Sequence, residues 1–457
     1  MTPPTGIITE SVRAEVAGML RRHALCDHCL GRLFARRMRR TSYGQLGGSL
    51  RRAVAGTAAS DLTANADARC YICKGLLDSI CDMLTIMREK SDGYEFETFV
   101  VGATIKPSIM DRDDRVRSAY RLQGADGVKA GLTKELGRRF ARMTGGRHDM
   151  HEPEISLTMQ PAESYCEIRS KPVVIYGRYI KHKRGTPQKQ DACTSCLGSG
   201  CYACEFHGMS SYDSVQGQIS KFLFERIGGT IARFTWVGGE DRESLVSGSG
   251  RPFFVRIQAP RRRHIGTRGA QDAGKGGGVI RLDTISLCGL RDAYASEVGP
   301  VPFASRVRIR VRIGGEGEEG RENSPNHAEK SAEEEVGDMQ NDAAAGAASA
   351  AKKRTAAKPQ ATAEDAVRPV PLRMLRGLSG RPIKVRIKNK RDVEKKITAF
   401  RYRRNSPDTL TVWADLDGGI PIKRLVTGDG VSPSISEVLG VACACVQCDF
   451  EDVLAYE

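Results

Sequence analysis

The chain has 457 residues and a formal net charge of +16, from 71 Lys and Arg against 55 Asp and Glu. Such a length supports about three domains, each able to bury a core, and the charge favours a polyanionic partner. Aromatic residues make up 6%, so stacking platforms for single strands are few.

No apolar run is long enough to cross a bilayer, no basic amphipathic helix carries an aromatic face, and the N-terminus lacks the basic and apolar regions of a signal peptide. The expectation is a cytoplasmic, monomeric, nucleic-acid-binding protein with no membrane association. Its 14 cysteines then sit in a reducing compartment, where Cys-x-x-Cys pairs mean metal more often than disulfide.

Along the chain, Val12, Val16, Met19 and Leu20 recur at helical spacing and predict an amphipathic helix. It delivers Cys26-Asp-His-Cys29 onto a turn, followed by the basic run Arg32 to Arg40. A second helical stretch leads to Cys70-Tyr-Ile-Cys73, and Tyr94 to Val101 turns strand-like. Leu132, Leu136 and Phe140 mark a basic helix, and Ile155–Met159 and Val173–Tyr176 read as short strands.

Cys193-Thr-Ser-Cys196 and Cys201-Tyr-Ala-Cys204 follow, among glycines at 198, 200 and 208. Thiolates at this spacing on a turn face one cation, and two such turns complete a tetrahedron around zinc. Cys26/Cys29 and Cys70/Cys73 pair as a second set by the same logic, although their separation leaves other pairings open. Four protein ligands leave no open position, so one or two structural zinc sites are expected and no catalytic one. Cys443-Ala-Cys445-Val-Gln-Cys448 reads instead as buried strand cysteines, and Cys81, Cys166 and Cys288 carry no signal.

Ile219, Phe222, Leu223 and Ile227 share a helical face, Gly228-Gly229 breaks it, and Thr230 to Val237 is an apolar strand. The turn Gly238-Gly-Glu-Asp241 then presents two acids before a strand from Phe253 to Ile257. Helix, strand, acidic glycine turn, strand places a carboxylate at the rim of a sheet. Taken alone, such acids more often hydrogen-bond their own backbone.

Residues 314–367 lose nearly all large apolar side chains; the stretch cannot offset its ordering entropy and reads as a disordered insert, with a solvated helix over Ala344 to Ala351 the competing reading. Strands with basic flanks return at Ile383–Ile387, Ile397–Tyr402 and Leu410–Trp413.

Five segments in order carry a resemblance: Lys171-Pro-Val-Val-Ile-Tyr-Gly-Arg-Tyr-Ile-Lys181, Arg184-Gly-Thr-Pro-Gln188, Gly238-Gly-Glu-Asp241, Gly248-Ser-Gly-Arg-Pro-Phe-Phe254, and Ile422-Lys423 with Val426-Thr-Gly-Asp429 and Pro433 to Leu439. Together they resemble the archaeal-type tRNA pseudouridine synthases that act in the T arm. The resemblance implies an α+β protein in which a mixed-sheet catalytic domain is joined to a separate N-terminal zinc-knuckle and THUMP-like RNA-binding domain. The expected boundaries are 1–165 for the N-terminal domain, 166–313 and 368–457 for the two parts of the catalytic domain, and 314–367 for the insert.

The implied reaction is the isomerisation of uridine 54, uridine 55 or both to pseudouridine in the T loop of tRNA, without a cofactor. Asp241 is the implied catalytic carboxylate, as nucleophile or as base. Lys423 from a C-terminal strand is its implied basic partner, with Arg424 as fallback and Glu240 and Asp429 as the next acids to test. Arg184, Arg242, Arg251, Ile422 and Tyr402 are the expected substrate contacts.

Two positions depart from the family pattern. Gly239 stands where many members carry an arginine, which Arg242 replaces from the other side. Val307 stands where a stacking tyrosine is expected, leaving Tyr402 or an aliphatic face to support the base. Arg36-Arg-Met-Arg-Arg40, Lys181-His-Lys-Arg184 and Arg261-Arg-Arg-His264 are candidate phosphate contacts, and Gly274-Lys-Gly-Gly-Gly278 reads as a flexible loop. A tRNA-binding protein without activity is the alternative reading.

Overall fold

The computed structural model describes residues 8–38, 42–55, 69–265, 279–299, 301–314, 371–386 and 392–455. The expected insert and the glycine loop at 274–278 lie outside them, as do Arg39 and Arg40. The chain divides into two compact units, Met1–Ala304 with Phe450–Glu457, and Ser305–Asp449. Both mix helices and strands, so the class is α+β.

The first unit opens with helices α1 (Glu10–Arg22), α2 (Asp27–Phe34) and α3 (Tyr43–Ala55). The four apolar residues read at helical spacing are indeed the buried face of α1. Cys26 is not a plain turn residue but the N-cap of α2, its Sγ accepting from the N–H of Cys29. Arg32 departs from expectation. The first residue of the basic run Arg32 to Arg40, it is fully buried, donating to Asp113 Oδ1 (2.6 Å) and to the Asp126 carbonyl (2.7 Å). A buried charge must be paired and hydrogen-bonded to be tolerated, and here Arg32 lies within six consecutive buried residues of α2, Cys29 to Phe34.

Helices α4 (Ile80–Ser91), α5 (Pro107–Ala119) and α6 (Val128–Thr144) alternate with strands β1 (Thr98–Ala103), β2 (Arg147–His148), β3 (Ile155–Gln160) and β4 (Tyr165–Ser170). The strand order is β2-β1-β3-β4, with β1 parallel to β2 and β3, and β4 antiparallel to β3. Phe140 of α6 meets Phe99 of β1 edge to face at 4.9 Å, both rings fully buried. Asp113 accepts from the first N–H of α6 at Val128 (2.9 Å), so the carboxylate neutralised by Arg32 also caps this helix.

Strand β5 (Val173–Lys181) begins a second sheet in the same unit, followed by α7 (Val215–Ile227), β6 (Ala232–Trp236), β7 (Val246–Ile257), β8 (Ile280–Arg281) and β9 (Ile285–Ala293). β7 is antiparallel to both β5 and β6, β5 pairs β9, and Phe450 joins β7 at Val246 in parallel. Ser214 caps α7 by accepting from Gly217 N–H (2.8 Å), and Ile219, Leu223 and Ile227 are its fully buried stripe.

The basic run after β7 ties this sheet to the first one. Glu95 N–H donates to the Arg261 carbonyl (2.7 Å), and Glu95 Oε2 accepts from Arg263 N–H (2.7 Å). Arg263 also reaches Glu154 (3.2 Å) and the Lys171 carbonyl (3.1 Å). Arg263 is thus engaged inside the protein, not free for a phosphate.

The second unit holds β10 (Phe303–Ile313), β11 (Pro382–Arg386), β12 (Asp392–Ser406), β13 (Thr409–Asp417), α8 (Ile422–Thr427), β14 (Val431–Ser432), α9 (Ile435–Leu439) and β15 (Cys443–Ala455), whose last residues belong to the first unit. Its strand order is β14-β11-β12-β13-β10-β15. Val307, Ile309 and Val311 of β10 and Leu410, Val412 and Leu416 of β13 are buried, with Leu375 and Leu378 of the 3₁₀ turn Leu372–Leu378 also fully buried. Cys443, Cys445 and Cys448 lie on β15, with Cys443 and Cys448 buried as expected of strand cysteines and Cys445 half-buried. Among the described residues no helix is long and apolar enough to cross a membrane.

Candidate active site and cysteine clusters

The acidic turn lies between β6 and β7, and its two acids face opposite environments. The Glu240 side chain is fully buried: Oε2 accepts from Arg251 Nε (3.1 Å) and Oε1 lies 3.4 Å from Lys181 Nζ. Both cations are themselves fully buried. Asp241, the next residue, is exposed. Its carbonyl accepts from Lys181 Nζ (3.0 Å), which also donates to the Thr186 carbonyl (2.7 Å).

Burial lowers the Lys181 pKa, with the Glu240 carboxylate pulling the other way. Burial also raises the Tyr179 hydroxyl well above its usual value, assisted by Glu240.

Further contacts fix the turn at its root. Arg251 Nη1 donates to the Val237 carbonyl (3.0 Å), and its guanidinium lies 4.2 Å from the centre of the Phe450 ring. Gln188 donates to Tyr179 Oη (3.0 Å) and to the Gly238 carbonyl (3.4 Å). Gly238 has φ +78°, and a Cβ there would come within 2.7 Å of both Arg251 Nη1 and the Phe303 ring. A side chain at 238 would therefore be strained by its backbone and would push into the buried charges. Nearer the rim, the Arg242 carbonyl accepts from Gly185 N–H (2.9 Å), and Arg184 donates to the Glu243 carbonyl. Two loops, 182–188 and 238–245, are thus laced together along one rim.

The expected substrate contacts separate by environment. Arg242 is 65% exposed at the side chain and sits beside Asp241, whereas Arg184 is half-buried on the same rim. Arg251 offers no surface to a ligand, because it is fully buried against Glu240; the expectation that it touches substrate is replaced by a role inside the turn. The same correction holds for Lys181 as a phosphate contact.

Ile422 and Lys423 open helix α8 of the second unit and do not lie on a strand. Tyr402 pairs with Val412 on the side of the sheet that carries the buried residues, and Val307 is fully buried. Neither Lys181 nor Glu240 was singled out for its burial from sequence, yet alternation was a usable signal: β5 buries Ile175, Gly177, Tyr179 and Lys181 at period two.

Two groups of four cysteines come together: Cys26, Cys29, Cys70 and Cys73, and Cys193, Cys196, Cys201 and Cys204. Within each group the sulfurs lie within 4.8 Å of one another. Sγ separations of 3.7 Å (Cys26–Cys73), 3.8 Å (Cys196–Cys204) and 4.0 Å (Cys193–Cys201) are far above the length of a disulfide. Thiolates about 2.3 Å from a tetrahedral zinc stand about 3.8 Å apart, so both groups fit that ion. In the second group the N–H groups of Gly200 and Gly208 donate to Cys196 and Cys204 sulfurs (3.2 Å each), the outer support metal thiolates use.

Comparison with known proteins agrees with this architecture. A family profile described as "Pus10 THUMP domain, archaeal" matches residues 85–160, which contain strands β1, β2 and β3 of the four-stranded sheet with α5 and α6. A second, "Pus10, C-terminal", matches residues 174–276, which contain the acidic turn and the second cysteine group. The chain is 37% identical over 435 residues to the tRNA pseudouridine synthase Pus10 of Nitrosopumilus maritimus (strain SCM1), covering 95% of this chain and 96% of that one. It is 33% identical to the protein of that name from Cenarchaeum symbiosum (strain A), over 95% of this chain and 90% of the other. A third, from Korarchaeum cryptofilum (strain OPF8), is 26% identical over 84% and 93%.

Proposed function

Because the chain belongs to the Pus10 family of tRNA pseudouridine synthases, an isomerase family, we propose that it converts uridine 54, uridine 55 or both in the T loop of tRNA, with Asp241 as the catalytic carboxylate. The observation that carries this reading is the division of labour in the turn. Glu240 is locked inward by Arg251 and Lys181, so the adjacent Asp241 is held outward on an anchored backbone. Preorganised placement of a reacting group is what catalysis requires of a scaffold.

In the reaction the N1–C1′ bond breaks, the uracil turns, and a C5–C1′ bond forms. C5 gives up a proton and N1 ends with one, so formula and oxidation state are unchanged and no cofactor is called for. Asp241 takes part either by adding to C1′ as N1 departs or by removing a proton from the ribose. A uridine in a folded T loop must be drawn out of its stack to reach such a group, and Arg242 and Arg184 on the rim are the proposed hands for that step. Lys423 keeps, on its sequence motif alone, the role of the basic residue that the resemblance implies, with Ile422 beside it.

Mapping pseudouridine on an unmodified tRNA transcript after incubation with the wild-type protein tests the reading. Product at 54 or 55 supports it, and product elsewhere in the tRNA overturns the T-loop assignment.

Both cysteine groups are proposed to hold structural zinc, since four thiolates close the coordination shell. Elemental analysis of the purified protein should find two zinc ions per chain, one for each cysteine group. Cys196→Ser should lower the content to one and leave the other group filled. An unchanged content would remove Cys196 from the ligands.

A further inference from the structure

The open face of the second unit's sheet carries an arginine array around one tryptophan. On β10, Arg306, Arg308, Arg310 and Arg312 are exposed, and the residues between them are buried. The Arg306–Asp415 pair (2.9 Å) and the bond from Ile313 N–H to the Asp408 carbonyl (2.6 Å) describe one antiparallel register of β10 against β13. That register sets Arg308 beside Trp413 and Arg310 beside Thr411. From the other side, β12 places Arg401 opposite Trp413 and Arg403 opposite Thr411. Trp413 is therefore flanked by an arginine on each neighbouring strand, and so is Thr411.

The charges on this face are not internally spent. Arg306 and Arg308 have acidic partners, Asp415 and Asp449 (3.2 Å). Arg310, Arg401 and Arg403 make no ion pair among the described residues and are exposed. Trp413 is half-buried with its ring on the open side. The chain has two tryptophans, and the other, Trp236, is already stacked on Phe234 at 4.7 Å.

We propose that this face docks a strand of the tRNA, with Arg310, Arg401 and Arg403 on its phosphates and an unpaired base stacked on Trp413. The proposal rests on the reading of tRNA as substrate. Guanidinium forks match phosphate oxygens two at a time, and arginines at alternate positions of a strand recur about every 7 Å, a spacing an extended sugar-phosphate chain can follow. The indole gives any base a π face to stack on. A folded protein partner would call for an apolar centre, whereas this face is a row of guanidiniums and threonines around a single ring.

The test is equilibrium binding of unmodified tRNA across a salt series, with pseudouridine formation by the wild-type protein measured separately. Arg310→Gln/Arg403→Gln should weaken binding and reduce the slope of log K against log salt by about two, because each neutralised phosphate contributes about 0.9 to that slope. The charge-matched control Arg373→Gln/Arg376→Gln, on the 3₁₀ turn, should leave the slope near that of wild type. Trp413→Ala should weaken binding about tenfold or more, and Trp413→Phe should restore most of it, as stacking predicts. Quenching of tryptophan emission by tRNA should largely vanish in Trp413→Phe.

Equal weakening in the two double variants, or unchanged slope and affinity in Arg310→Gln/Arg403→Gln, overturns the proposal. If the wild type binds through this face but forms no pseudouridine, the catalytic reading fails and the docking surface stands.

Discussion

Asp241→Asn should abolish pseudouridine formation while tRNA binding survives. The amide keeps the size and most hydrogen-bonding geometry of the carboxylate but can neither add to C1′ nor take a proton. General acid–base or nucleophilic roles of this kind are worth at least about 10³-fold, so a single-turnover assay should read no product. Asp241 is exposed, and replacing it leaves the Glu240 latch intact, so the fold and the tRNA affinity should match wild type. Product from both proteins would move the catalytic acid elsewhere. Binding by both, with product from neither, would favour the non-catalytic reading.

Arg251→Met should lower the stability of the catalytic sheet strongly. It removes one of the two cations facing Glu240, strips the Val237 carbonyl of its donor, and leaves a carboxylate in a site with no exposure. Removing one partner of a buried ion pair costs about 3–5 kcal/mol when the other charge is left uncompensated; Lys181 still faces Glu240 at 3.4 Å, so the loss should fall near the lower end of that range. Removing the anion as well leaves Lys181 a buried cation without its carboxylate, so Arg251→Met/Glu240→Leu should be no more stable than Arg251→Met alone, a sign that urea denaturation reads directly.

The same variant separates two roles for the residue. A buried positioning group should lower kcat and leave KM for tRNA nearly unchanged, since the turn is displaced but the RNA-facing surface is not. A raised KM with normal kcat would return Arg251 to the substrate contacts that its sequence suggested.

The elements were legible wherever apolar spacing set them. α1, α6 and α7 carry their buried stripes at helical period, and the stretches read as strands on either side of the acidic glycine turn, Thr230–Val237 and Phe253–Ile257, fall on β6 and β7. The cysteine groups were legible because ligand spacing is a local constraint, and the folded chain brings together the four thiols whose pairing the sequence left open.

What was not legible is the inside of the site. Arg32 and Lys181 sit in basic runs and Arg251 in a glycine turn, and a long cation usually reaches water. Each is buried here because a carboxylate distant in sequence or on an adjoining turn meets it, and that pairing is a property of tertiary register. Lys423 illustrates the opposite failure: the motif was found, but its local backbone is helical and not extended.

The lacing of Glu95 to the Arg261–Arg263 segment has a consequence for how a target is chosen. With Arg263 also gripping Glu154 and the Lys171 carbonyl, the four-stranded sheet and the strand that launches from the acidic turn are joined at more than a peptide linker. An RNA held by the first would meet the second at a set reach, as with a calliper whose jaws are pinned. Selection by span asks little of the bases along the way, so tRNAs of different sequence and one common shape could all present the same nucleotide. Cutting the pin, for instance with Glu95→Ala, would then blur which nucleotide is taken before it weakened the grip.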